Sequence, residues 1–350
     1  MEDSPAPAHR RRPRYPGKYP RQFAQKYKEL DPANYPETVA KVIASGKTPA
    51  GSHLPVMLTE VLEALRPRPG DIAVDCTLGR GGHARMLLEH LTPGGHLLGL
   101  DVDQVELPRT EAMLREAGFG ADILTIRRSN FAGLPAALAA CGFAGADIIL
   151  ADLGVSSMQL DTPARGFSHK FPGPLDMRMN PERGISASQW LERSSASKLA
   201  QALAENSDEP HAARLCDALA GSSFALTTDL ATAIRNALPD IPAGEREKSI
   251  RRVFQALRIE VNGEFSALDA FLRVLPQCLK PGGRAAILTF HSGEDRRVKK
   301  AFQSAHHSGV YSIIGRRAVR PSAAECRANP RSSSAKLRSA CRGGPATGTP

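Results

Sequence analysis

Apolar runs alternate with amphipathic stretches through the first half of the chain. Ile72 to Thr77, His96 to Asp101, Ile123 to Arg127 and Asp147 to Leu153 read as buried strands, while His83 to Leu91, Gln104 to Ala117 and Leu134 to Cys141 carry helical spacing. Strands separated by helices of 8 to 14 residues predict parallel pairing through right-handed crossovers, hence a doubly wound, mostly parallel α/β sheet. Upstream, Thr38 to Ser45 reads as a short helix, and a second, amphipathic one runs to Leu65, ended by Pro67 and Pro69-Gly70. From residue 158 to 245 the strand rhythm stops: a loop from Asp161 to Pro181 precedes helical periods at Ala187–Leu191, Ala196–Ala204, Ala212–Leu219 and Leu230–Leu238. This predicts an inserted helical lobe. The sheet pattern resumes with helices at Ser249–Val261 and Phe265–Cys278, the turn Lys280-Pro281-Gly282-Gly283, a strand at Ala285–Phe290 and a helix after Glu294. The expected organisation is a sheet domain over 51–157 and 246–315, the lobe between them, and extensions at 1–50 and 316–350.

Composition narrows the setting. No apolar run is long enough to cross a bilayer, and Arg10-Arg11-Arg12 is not followed by an apolar segment, so neither a membrane partner nor a secretory leader fits and the cytoplasm is the expected location. Six scattered cysteines, none in a Cys-x-x-Cys pair, argue against a zinc site or a disulfide framework; Cys76 reads as core. The net charge of +10 sits at the ends. Residues 1–50 hold ten Lys/Arg against five acids and 316–350 hold eight against one, which leaves the middle slightly acidic. Four of the five tyrosines, Tyr15, Tyr19, Tyr27 and Tyr35, lie within the basic N-terminal extension. Cations that neutralise phosphates beside rings that stack on unpaired bases suit RNA; a solubilising tail is the alternative. The C-terminal 35 residues, rich in Ser, Arg, Gly and Pro, are expected to be partly disordered unless bound.

The chemistry concentrates in Val74-Asp75-Cys76-Thr77-Leu78-Gly79-Arg80-Gly81-Gly82-His83, followed one helix later by Gly99-Leu100-Asp101. A strand, a glycine turn and an acid ending the next strand form a nucleoside pocket: the glycines admit a ligand close to the backbone, and the acid accepts ribose hydroxyls. The same glycines also serve helix–strand packing. Their spacing is not Gly-x-Gly-x-x-Gly and there is no Walker lysine, which disfavours a dehydrogenase or a nucleotide triphosphatase. The fourth strand ends in Ala151-Asp152, so Asp101 and Asp152 are expected to face one crevice at the carboxyl ends of neighbouring strands. A cap on the following turn is the other reading of Asp152.

Several blocks, in order, resemble the bacterial ribosomal RNA small subunit methyltransferase H (MraW) family. They are His53-x-Pro55-Val56, the Asp75 to His83 turn, Asp152-Leu153-Gly154-Val155-Ser156-Ser157-x-Gln159-Leu160-Asp161, Arg165-Gly166-Phe167-Ser168, Gly173 to Met179, Phe254 to Asn262 and Phe290-His291-Ser292. Leu279-Lys280-Pro281-Gly282-Gly283-Arg284 is likewise similar to the turn before a late strand in methyltransferases that use S-adenosylmethionine. The resemblance implies a class I, Rossmann-like methyltransferase that uses this cofactor on N4 of a cytidine in the decoding region of 16S rRNA, in the small ribosomal subunit or its precursor. It places cofactor contacts at Gly81, Gly82 and His83, at Asp101 for the ribose, at Phe131 against the adenine, and at Asp152 and Gln159. It also makes the lobe an RNA-recognition element.

Without it, Phe131 reads as core and His83 as an ordinary first-turn residue. Cytosine N4 has its lone pair drawn into the ring, so the enzyme must align it and accept its proton; Asp152 is the candidate catalytic acceptor. Phe167, Met177 and Met179 either shape a site for an unstacked base or simply pack. The chain departs from the family at Gly293, where leucine is usual, at His169, Pro172 and Ser333, and across Glu205 to Glu209. Those departures keep two alternatives open, a paralogue acting on another RNA cytidine and a non-catalytic ribosome assembly factor. No Asp/Ser-Pro-Pro-Tyr/Phe tetrad is present, which speaks against DNA as substrate.

Overall fold

The computed structural model describes residues 55–344. The expected helix at Thr38–Ser45 and the tyrosine-bearing extension lie outside the described residues. Seven strands form one sheet in the order β3-β2-β1-β4-β5-β7-β6: β1 Ile72–Asp75, β2 His96–Asp101, β3 Leu124–Arg128, β4 Ala146–Asp152, β5 Leu279–Thr289, β6 Tyr311–Ile314 and β7 Lys336–Arg342. The first five pair in parallel, and β7 runs antiparallel to both β5 and β6.

Period-two alternation sorts the sheet's two faces. Val74, Leu98, Ile149, Ala151 and Ile287 join one core, covered by α4 Leu134–Ala139, α11 Glu264–Cys278 and α12 Ser292–His307. Their neighbours Ala73, Leu97, Ile148, Leu150, Ala286 and Leu288 join the other, covered by α1 Leu58–Leu65, α2 Gly82–Leu91 and α3 Leu107–Glu116. Central strands buried on both faces therefore read as unbroken apolar runs, as they do in the sequence.

After β4, Ser156 and Gln159 close a reciprocal capping box that starts α5 Ser157–Asp161. The lobe follows with α6 Ala187–Glu192, begun by a second capping box on Ser186 and Gln189, then α7 Ala196–Ser207, α8 Ala212–Leu219 and α9 Thr227–Ala237. The lobe has its own core, built on Trp190, Leu199, Leu203, Leu215, Leu230 and Ile234. The boundary expected at residue 245 falls inside α10, Ala243–Asn262, whose Ile250, Val253, Phe254 and Leu257 complete that lobe core. Gly263, at φ 58°, ends α10 and starts α11 in one left-handed residue.

Two further expectations are corrected. The turn at Lys280–Gly283 lies within β5, as an irregularity in its pairing with β4 between Ala146 and Ile148. The segment from 316, expected as a loose basic tail, supplies α13 Ala323–Ala328 and strand β7 Lys336–Arg342, close to residue 344, where the described residues end. Leu337 and Ala340 are buried in the two sheet cores, and the ladder between β5 and β6 takes up the backbone hydrogen bonds of β7, so this polar segment is ordered by tertiary pairing. All six cysteines are free thiols.

Candidate active site

The carboxyl ends of β1, β2, β4 and β5 meet at one rim, where a doubly wound sheet places its ligands. Past Asp75 the chain stays bonded to its neighbours, Cys76 to Leu150 and Leu78 to Leu100, before turning at Gly79–Gly81 into α2. Gly79 donates its N–H to Asp101 Oδ2 over 2.7 Å, so the turn and the acid ending β2 are fixed to each other. Gly81 is the residue before α2 and has φ 71°; a Cβ there would lie 2.9 Å from Thr110 Cγ2, so glycine is required on both counts. A Cβ on Gly79 would meet only Thr77 O, at 3.8 Å, which leaves the outer side of the turn open to a ligand.

His83 is buried in the first turn of α2 with Nε2 3.0 Å from Val56 O. A carbonyl only accepts, so Nε2 carries the hydrogen and Nδ1 presents its lone pair. Burial lowers the imidazole pKa to about 4, and the ring is neutral at physiological pH. Asp152 Oδ2 lies 3.7 Å from that Nδ1. With a neutral ring this is a polar approach, not an ion pair.

Asp152 ends β4, and its N–H donates to Thr77 Oγ1 over 2.6 Å, tying β4 to the glycine turn. Its Oδ1 is buried with no hydrogen-bond partner among the described residues, while 28% of the side chain is exposed on the Oδ2 side of the crevice. Burial, reinforced by the charges of Asp75 and Glu294, raises its pKa to about 8. Asp75 is raised to about 7, chiefly by burial, against the lowering effect of the Thr77 N–H. Asp101 is also raised by burial. Three carboxyls thus share one rim, and the groups acting on Asp75 and Asp152 include other acids but no cationic side chain, which favours a ligand that brings positive charge.

The remaining sequence candidates fall around this centre. Phe131 follows β3 and packs edge-on against Phe271, with centroids 5.4 Å apart, leaving it half-buried at the side of the site. Gln159 is buried, and its amide is largely engaged within the protein: Oε1 accepts from Ser156 N and Nε2 donates to Asp103 Oδ2 over 2.8 Å. It has one N–H and one lone pair left for a ligand. Phe167 and Met177 are buried in the lobe core, and half-buried Met179 packs against it.

Sequence reasoning missed Asp75 as a titrating group, and also Asp103, Arg258 and Glu294. Glu294 accepts from Phe290 N over 2.8 Å and sits 3.2 Å from His291 Nε2. Burial pushes its pKa up, but His291, Arg258 and the Phe290 N–H together outweigh that and hold it below the usual range. Arg258 is itself clamped on Glu264 at 2.7 and 2.9 Å. The motif blocks containing Arg258 and Glu294 were visible in the sequence, whereas their convergence near Asp152 is a product of the fold. Gly293 stands where a Cβ would fall 2.6 Å from Phe265 Cζ, so the absent leucine makes room for that ring. Among the described residues no group of acidic, histidine or cysteine side chains is arranged to hold a metal.

Residues 50–342 match a family model described as the MraW methylase family. A protein of Agathobacter rectalis named ribosomal RNA small subunit methyltransferase H 1 is 48% identical over 343 residues, covering 95% of this chain and 98% of that protein. One of Alkaliphilus metalliredigens named ribosomal RNA small subunit methyltransferase H 2 is 49% identical over 337 residues, covering 94% and 96%. A ribosomal RNA small subunit methyltransferase H of Syntrophotalea carbinolica is 41% identical over 305 residues, covering 82% and 96%.

Proposed function

The chain belongs to the MraW methylase family, and we propose that it transfers a methyl group from S-adenosylmethionine to N4 of a cytidine in the decoding region of 16S rRNA, in the small ribosomal subunit or its precursor. The observation that carries this reading is Asp152: a carboxyl at the carboxyl end of β4 with one buried, unpartnered oxygen, beside a neutral histidine and the glycine turn. Buried acids at Asp75 and Asp152, each raised further by a neighbouring acid, fit a cofactor that is cationic at its reacting atom.

Gly81, Gly82 and His83 would hold the methionine end of the cofactor, Asp101 its ribose, and Phe131 the side of its adenine. Bound there, S-adenosylmethionine supplies an electrophilic methyl on a positively charged sulfur. Positive charge beside Asp75 and Asp152 favours their ionised forms, so both carboxyls lose protons when the site fills. Asp152 is then an acceptor for the hydrogen that the cytosine amino group must shed. Thr77 fixes the Asp152 backbone, and His83, held by Val56, offers only a lone pair on that side, so no competing donor from the ring neutralises the carboxylate. Alignment and proton acceptance are what a weak exocyclic amine needs.

The basic C-terminal segment supports an RNA substrate. Val319 pairs with Leu337, which pairs with Leu288 on β5, itself paired with Asp152, so Val319 lies level with the carboxyl end of β4 across the sheet. Arg316, Arg317, Arg320 and Arg327 are exposed and have no ion-pair partner among the described residues, as phosphate contacts require. The segment is pinned in place: Glu325 accepts from Met57 N over 2.7 Å, and Arg331 reaches Asp161 over 2.6 Å.

The test is mass spectrometry of nucleosides from small-subunit rRNA of cells lacking this gene. Loss of N4-methylcytidine is expected; an unchanged signal overturns the proposal.

A further inference from the structure

Asp103 stands two residues beyond Asp101 and has no part in the chemistry above. Its side chain is only 3% exposed, and both oxygens are used. Oδ1 accepts from the N–H groups of Val105 and Glu106, at 3.0 and 3.3 Å, and Oδ2 accepts from Gln159 Nε2 and Arg165 Nη1, at 2.8 and 2.9 Å. Its own N–H donates to Asp101 Oδ1 over 2.9 Å. Arg165, itself largely removed from solvent, turns its other nitrogen to the carbonyls of Arg178 and Met179, at 3.2 and 3.0 Å. Met179 N in turn donates to Asn262 Oδ1 over 2.7 Å, at the end of the long lobe helix α10. One continuous set of bonds therefore runs from the ribose acid through a buried ion pair to the loop at 177–179 and the lobe.

A buried ion pair is a poor source of stability and a good source of fixed geometry, because each partner is costly in any arrangement that leaves it alone. We infer that Asp103 and Arg165 are positioning residues that couple occupancy of the cofactor site to the conformation of the lobe, so that cofactor and RNA bind cooperatively. The inference rests on the methyl-transfer reading given above. A second bridge runs in parallel on the open side, where Arg128, opposite Asp101 on β3, meets Glu182 at 2.9 Å; being exposed, it orders little by comparison. Coupling of this kind is reciprocal: RNA must tighten the cofactor by the factor with which the cofactor tightens RNA.

The test measures affinity of the full chain for S-adenosylhomocysteine, the cofactor without its transferable methyl, by calorimetry, with and without small ribosomal subunits lacking the methyl group, so that nothing turns over. The wild-type protein is expected to bind S-adenosylhomocysteine at least ~5-fold more tightly when the subunit is present. Arg165→Gln brings that ratio to within about twofold of unity. Arg165→Lys keeps a charge beside Asp103 but cannot also reach both carbonyls, so it retains cofactor affinity without RNA and loses most of the ratio. It serves as the decisive variant should Arg165→Gln unfold. Purely structural damage would weaken both ligands and preserve the ratio. A ratio of one in the wild type, or a wild-type ratio in Arg165→Lys, overturns the inference. Absence of methyl transfer by the wild type to those subunits would instead overturn the functional reading.

Discussion

Replacing Asp152 with asparagine separates what this carboxyl costs the fold from what it contributes to the reaction. Its pKa rises from 3.8 to about 8 in the folded protein, first through burial and then through the charges of Asp75 and Glu294. Below the unfolded value both states hold the proton and no penalty exists. As pH rises between the two values the unfolded chain releases its proton while the folded one keeps it, so stability falls; above the folded value the penalty is constant. At ~1.4 kcal/mol per unit of pKa the ceiling is ~6 kcal/mol. With 28% of the side chain exposed in the crevice, solvent screens much of this, and ~2–3 kcal/mol is the reasonable expectation. An amide of the same shape carries no such charge. In urea unfolding the Asp152→Asn protein should match the wild type near about pH 4 and exceed it by that ~2–3 kcal/mol near about pH 8.5. Methyl transfer should fall by roughly 10²–10⁴ with the acceptor gone. A stability difference that does not grow with pH, or a variant less stable under alkaline conditions, would refute the assigned electrostatics, and full turnover would remove Asp152 from the mechanism.

S-adenosylmethionine binding should release protons near neutral pH, and its affinity should rise with pH and level off only above about 8, where Asp152 is ionised before the cofactor binds. S-adenosylhomocysteine, with no positive sulfur, should show little of either effect; calorimetry in buffers of different ionisation heat reads both directly. Gly81→Ala adds a Cβ 2.9 Å from Thr110 Cγ2 at φ +71° and should cost ~1–3 kcal/mol of stability. That cost should exceed the one from Gly118→Ala, where φ is +95° but nothing lies within 4 Å, in side-by-side unfolding. Replacing Arg316, Arg317 and Arg320 together with alanine should weaken RNA binding while leaving cofactor affinity unchanged, as read by filter binding and calorimetry. The slope of log affinity against log salt should become shallower by ~0.7–0.9 for each phosphate that an arginine no longer neutralises.

The parts of the fold and site that are local in the chain were legible in the sequence. The Asp75–His83 turn and Asp101 announce themselves because a glycine turn and a strand-ending acid occupy short windows with strong conformational demands. The lobe helices follow from apolar spacing alone. Strand β7 was not legible: in Lys336–Arg342 only Leu337 and Ala340 are buried, too few for an alternating pattern, and the strand is defined by its neighbours β5 and β6. Asp103 was invisible for a related reason, since its carboxyl partners Gln159 and Arg165 lie 56 and 62 residues away. The raised pKa values of Asp75 and Asp152 likewise depend on carboxyls from separate strands sharing one buried rim. Phe167 and Met177 show the converse. Their motif position leaves a base site and plain packing both open, and it takes the lobe core to show that they are buried in it.

The central claim is tested most directly by purified enzyme, S-adenosylmethionine carrying a labelled methyl group, and small ribosomal subunits from cells lacking this gene, with nuclease fragments of the rRNA read by mass spectrometry. Label on N4 of one cytidine within the decoding region, absent with Asp152→Asn, is the expected result. Label on another base, on another RNA, or nowhere while the cofactor still binds would contradict it.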